Sequence, residues 1–222
     1  MEISETVREI RTELRLAMNG IVSQSMREKG VIYKLNFGVE LPRLKELAAR
    51  YGKDHDLAQT LWKEDIREFK ILAGMLQPVE TFYPEIADIW VEDIRYPEIA
   101  ELTCMTLFQN LPYAPAKAFE WIADGREYFE TCGFILASRL FSRGLELNER
   151  AEMEFLDQAL TVLQSDVYQP RKAAALSLKK YGLQNKENAA KIRKILAPFR
   201  KSEKEELKAL SEEIFFELEY LP

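Results

Sequence analysis

Apolar side chains recur at three- and four-residue spacing along almost the whole chain, and short runs of turn residues interrupt them. That period is helical, since a half-buried strand would alternate every second residue. Helices are predicted near 3–28, 41–51, 55–63, 65–77, 82–94, 97–110, 114–123, 127–143, 148–164, 169–181, 186–198 and 202–218. The connections are short: NFG, YGKD, QP, NLP, ADG, SRG and YGLQN. Pro97 and Pro115 fall at first-turn positions, where a missing N–H costs nothing. Gly52 ends one helix and Asp54 starts the next, which makes His55 a helix-start residue. With 9 Gly and 9 Pro in 222 residues, breakers are few, and strand is not expected.

Short helices cannot bury their apolar faces alone. Here consecutive ones pair as antiparallel hairpins that recur from Leu41 roughly every thirty to forty residues. The predicted fold is all-α, a HEAT-like helical repeat solenoid; a compact bundle, the alternative, would use fewer and longer helices. One domain is expected. Residues 1–36 form an N-terminal helical cap, 37–200 the HEAT-like helix pairs and 201–222 an acidic C-terminal helix.

Several function classes find no support. His55 is the only histidine and no Cys-x-x-Cys occurs, so no metal site is expected. Cys104 and Cys132 read as buried thiols of a reducing cytoplasm. The charged N-terminus MEISETVREIRTELRLAM lacks a signal-peptide core, and no apolar run approaches a membrane span. A cytoplasmic protein without membrane association is expected. No Gly-rich phosphate loop, Gly-x-Ser-x-Gly or His-Glu-x-x-His occurs, and no cofactor is expected. Glu212 and Glu213 read as a solvated face. Trp62, Trp90 and Trp121 read as core rather than as a base-stacking platform.

Charge is unevenly placed. The net charge is -6, yet residues 166–201 hold ten Lys/Arg against Asp166 and Glu187, a local +8. Residues 202–222 are acidic, with seven Glu against two Lys. On a wheel of about 100° per residue, Ala173, Ala174, Ser177, Leu178 and Tyr181 form the buried stripe of the helix in QPRKAAALSLKKYG. Arg171, Lys172, Lys179 and Lys180 fall on the other half, with Leu176 among them. A basic arc of this kind, continued by Lys191, Arg193 and Lys194, suits a phosphate backbone. Leu176 is placed either as a wedge or stacking group against DNA, or under snorkelling lysines on a neighbouring helix.

Three stretches carry a resemblance. FGVELPRLKELAARYG (Phe37–Gly52) has the pattern Gly-x-x-x-Pro-x-Leu-x-x-Leu-Ala. LAQTLWKEDIREFKILAGML (Leu57–Leu76) has Leu61, Trp62, Glu68 and Ala73. RKAAALSLKKYG (Arg171–Gly182) follows Arg-Lys-Ala-x-x-Trp-x-Leu-Arg-x-Tyr, with Leu176 at the tryptophan. In this order they resemble the DNA alkylation repair family of HEAT-like DNA glycosylases, the AlkD-like proteins, over about residues 10–200. The resemblance implies duplex DNA held on a concave basic surface and excision of cationic N3- and N7-alkylpurines. Two tryptophans, an aspartate and an arginine do this work in the family. A cationic base leaves readily, so a carboxylate that stabilises positive charge on the sugar supplies much of the remainder.

The chain departs from the family at those positions. YPEIA (Tyr96–Ala100) stands for Trp-Asp-x-x-Asp, with Tyr96 still able to stack and Ala100 in place of the catalytic aspartate. Glu98 and Glu101 are the substitute carboxylates at hand. Glu130 and Thr131 stand where two arginines are expected. The resemblance thus implies a DNA-binding relative with a degenerate alkylpurine glycosylase site. DNA contacts are expected from Tyr96, Arg171, Lys172, Leu176, Lys179, Lys180, Arg193 and Lys194. The partner expected is duplex or branched DNA. Retained excision through Glu98 or Glu101 is one alternative. A protein-binding helical-repeat adaptor is the other, favoured by the overall negative charge and by Glu130.

Overall fold

The computed structural model describes residues 2–219, so residue 1 of the expected cap and residues 220–222 of the expected acidic helix lie outside the described residues. The chain divides into two compact units, Met1–Leu111 and Pro112–Pro222. The first holds α1 (Ile3–Leu16), α2 (Gly20–Glu28), α3 (Leu41–Tyr51), α4 (His55–Trp62), α5 (Arg67–Leu76), α6 (Pro84–Glu92) and α7 (Pro97–Thr106). The second holds α8 (Ala114–Ile122), α9 (Glu127–Ser142), α10 (Glu149–Leu163), α11 (Tyr168–Gly182), α12 (Lys186–Leu196) and α13 (Glu205–Glu219). Among the described residues the β structure is one isolated bridge, Leu35 to Ile66.

The predicted helix 3–28 is two helices. Asn19 caps α2 by accepting from the Val22 N–H at 3.2 Å, and its own N–H donates to the Phe37 carbonyl at 2.9 Å. Gly38 follows with φ +68, and a Cβ there would lie 2.3 Å from the Asn19 carbonyl oxygen. The glycine of the first family motif therefore lets the chain press against the start of α2.

Contacts run in rows within each unit. In the first, α5 packs on both α3 and α7; in the second, α11 packs on both α9 and α13. The intervening helices flank them: α4 on α5, α8 on α9, α10 on α11 and α12 on α11 and α13. That is the arrangement of stacked helix hairpins. The flanking helices of the first unit meet through Trp62 and Trp90, stacked at 3.9 Å and 2°, with Phe82 edge-on to Trp90 at 4.8 Å. Trp62, Trp90 and Trp121 are all buried, as core residues. Cys104 is buried in the first unit and Cys132 in the second, and neither is in a disulfide.

Nine of the ten residues of α5 are buried, including Arg67, Glu68 and Lys70. Each charge is partnered. The Glu68 carboxylate accepts from the Phe37 and Val39 N–H groups at 3.1 and 3.2 Å and from Arg67 at 2.9 Å. Arg67 also donates to the Val39 carbonyl at 3.0 Å and to both carboxylate oxygens of Glu98, at 2.7 and 2.6 Å. Lys70 pairs with Asp93 and lies 4.6 Å from the Trp62 ring. Replacing Glu68 by Ala strands Arg67 and two buried N–H groups. It should cost about 3–5 kcal/mol, read by thermal or urea unfolding followed by circular dichroism.

Candidate nucleic-acid interface

The buried stripe of α11 is as the wheel places it, with Ala173, Ala174, Ser177, Leu178 and Tyr181 all buried. The opposite half is not uniformly open. Lys172 is exposed, while Leu176 and Lys180 are half-buried. Arg171 keeps only 11% of its side chain exposed and Lys179 only 15%. The cause is α13, which the wheel of a single helix cannot show. Arg171 pairs with Glu206, donates to the Ser165 carbonyl at 3.1 Å and lies 5.9 Å from the Tyr168 ring. Lys179 sits between Glu213 at 3.1 Å and Glu217 at 3.4 Å. Burial alone would pull the Lys179 pKa down, but these two carboxylates outweigh it and the ammonium is held above its ordinary value.

On α12, Arg193 and Lys194 are exposed, and Arg193 donates to the Leu218 carbonyl at 2.9 Å. Lys172, Lys180 and Lys194 hold no ion pair among the described residues. A groove of about 1050 Å³ beside Lys180 is lined by Glu152, Met153, Tyr181 and Lys191 among others. There the Tyr181 hydroxyl donates to Glu152 at 2.7 Å and Lys191 donates to it at 2.8 Å. Those two bonds, that from Lys191 the larger cause, hold the Glu152 carboxyl below its ordinary range.

In the first unit, the position that the resemblance gives to the catalytic aspartate is Ala100, fully buried. Tyr96 is half-buried, and its hydroxyl donates to the Ile32 carbonyl at 2.7 Å and accepts from the Ile32 N–H at 2.9 Å. Its ring meets Tyr33 at 4.7 Å, tilted by 54°. Tyr96 borders a shallow pocket of about 200 Å³ that also touches Lys70, Asp93 and Arg95. Glu98 is committed to Arg67, whereas Glu101 is exposed. In the second unit, Glu130 is half-buried near the start of α9, and the buried Thr131 donates its hydroxyl to the Glu127 carbonyl at 2.6 Å. Among the described residues there is no cluster of acidic, Cys or His groups able to hold a metal, and no helix long and apolar enough to cross a membrane.

Residues 10–191 match the family model described as DNA alkylation repair enzyme. The chain belongs to the DNA alkylation repair family. Among curated proteins none matches it in sequence. A solved structure described as "a new family of proteins related to the HEAT-like repeat DNA glycosylases with affinity for branched DNA structures" is similar in fold. Its TM-score is 0.78 over 93% of both chains, at 16% identity. The fold of this family member is thus the all-α HEAT-like helical repeat, and the three motifs have structural roles in it. Gly38 admits the close turn, Glu68 is the buried hub of α5, and the Arg171–Tyr181 stretch is the helix at the middle of its row. The role of Glu206, Glu213 and Glu217 was missed, although the acidic composition of residues 202–222 pointed toward it.

Glu130 gives a pH signature. Burial, with Asp124 nearby, pushes its carboxyl above the ordinary carboxylate range. The folded state therefore binds this proton more tightly than the unfolded state, and stability falls as pH rises from the ordinary carboxylate pKa through the raised one. Glu130→Gln should raise the melting temperature at neutral pH, and the gain should vanish on acidification below the ordinary carboxylate pKa. Melting curves across pH 3–7 check this.

Proposed function

We propose that this protein binds DNA, duplex or branched, through exposed cations of α11 and α12, and that alkylpurine excision is weak or absent. The observation that carries the reading is the basic segment itself. Residues 166–201 hold a net +8, and Lys172, Lys180 and Lys194 remain without carboxylate partners in a family named for DNA alkylation repair. Arg193 on α12 extends the set, and Leu176 on α11 is proposed as an apolar contact. Tyr96 is a further proposed contact in the first unit. The similarity to a protein with affinity for branched DNA structures makes junctions a natural probe beside plain duplex.

Weak excision is supported by the chemistry at hand. A buried alanine cannot stabilise positive charge on a sugar. Glu98 would have to leave two hydrogen bonds from Arg67 to do so. That leaves Glu101 as the carboxylate free to act. The absence of one charge-stabilising group typically costs about 10²–10³ in rate.

Lys172→Glu combined with Lys194→Glu should weaken duplex binding with no loss of thermal stability, since both side chains are exposed. Each lost phosphate contact should reduce the slope of log affinity against log salt by about 0.9, read by fluorescence anisotropy. If the wild type binds no DNA at low salt, a protein-binding role for this helical repeat takes its place; the capture of Arg171 and Lys179 by glutamates favours that second reading. Release of N7-methylguanine from alkylated duplex should fall about 10²–10³ below an active family member. Any residual release should disappear in Glu101→Gln.

A further inference from the structure

The acidic helix α13 packs within the second unit, and its two faces do different things. One face is a seat. Leu207, Ser211, Ile214 and Leu218 are buried, and Leu218 packs so tightly on Gly182 that a Cβ there would lie 2.9 Å from it. Arg193 secures the end of the helix through the Leu218 carbonyl. The other face presents Glu206, Glu213 and Glu217. Spacings of seven and four residues put these three on one side of a helix. They meet Arg171 and Lys179, two of the four cations of α11 that the wheel expects on its open half.

The carboxylates do not hold the helix down. Their side chains are 71%, 60% and 46% exposed, so water screens the carboxylate end of each pair even though Arg171 and Lys179 are largely covered. Their effect is on the field. A guanidinium and an ammonium that would each release a counterion on meeting a phosphate are already neutralised, and three negative charges stand where an incoming strand would approach them.

We propose that α13 is a built-in electrostatic brake: Glu206, Glu213 and Glu217 act as intramolecular stand-ins for phosphates that withhold Arg171 and Lys179 from nucleic acid. This rests on the DNA-binding reading above and concerns its regulation. The brake keeps affinity submaximal, and a partner or modification that draws the glutamates away would release two further cations.

The test compares two triple variants of the full chain with equal change in net charge. Glu206→Ala/Glu213→Ala/Glu217→Ala removes the pairs, whereas Glu203→Ala/Glu205→Ala/Glu212→Ala removes acids of the same segment that pair with no cation of α11. Each set removes one first-turn glutamate of α13, Glu206 or Glu205, and none touches its buried residues; alanine suits the interior positions 212, 213 and 217, so both sets should leave α13 seated. Circular dichroism should show both variants folded. With a plain duplex and a four-way junction as probes, the first variant should bind about tenfold more tightly than the wild type. Its salt slope should steepen by up to about 0.9 for each cation freed. The second variant should bind nearly as the wild type does. Equal tightening in both variants would reduce the effect to net charge and overturn the brake. A first variant that matches a DNA-binding wild type would also overturn it and leave the DNA reading intact. If wild type and both variants bind nothing at low salt, the DNA reading itself fails and takes the brake with it.

Discussion

A helix buried on every side must find a partner for each charge it carries, and the first unit is organised around one such helix. In α5 the Glu68 carboxylate closes the backbone of residues 37–39 onto the helix, and Arg67 carries the same network on to Glu98 in α7. Three segments distant in sequence are fixed by one pair of adjacent residues. The arrangement also restricts chemistry. A carboxylate held by two guanidinium hydrogen bonds is not at liberty to turn toward a substrate. Glu98, two residues before Ala100, thus serves architecture first.

The sequence was most informative where local rules decide. Helix periods, first-turn prolines and glycine ends placed the helix boundaries closely, and the buried stripe of α11 followed from the wheel. It was least informative where the decisive partner lies far along the chain. The break at Asn19 depends on the carbonyl of Phe37 and on the absence of a side chain at Gly38, neither of which a reading of residues 3–28 alone contains. Arg171 and Lys179 belonged to an open half only as long as α13 was left out. A wheel separates core from non-core for one helix; it cannot say which neighbour closes the remainder.

The candidate site was legible as a set of residue types more than as an assembly. Family motifs led to Tyr96, Ala100 and Leu176, and the charge count led to α11 and α12. The structure adds what each side chain is already bonded to. Tyr96 is tied to the Ile32 backbone, Glu98 to Arg67, and half of the basic quartet of α11 to glutamates. Lys172 and Lys180 are thereby set apart from the other two cations of α11.

The two cysteines fall one to each unit, and both are sealed from solvent. A thiol of this kind reacts with an external reagent only when its surroundings open. Cys104 and Cys132 therefore act as separate internal timers. The modification rate of each reports the breathing of its own unit, and single-cysteine chains would resolve whether the two halves loosen together or in turn.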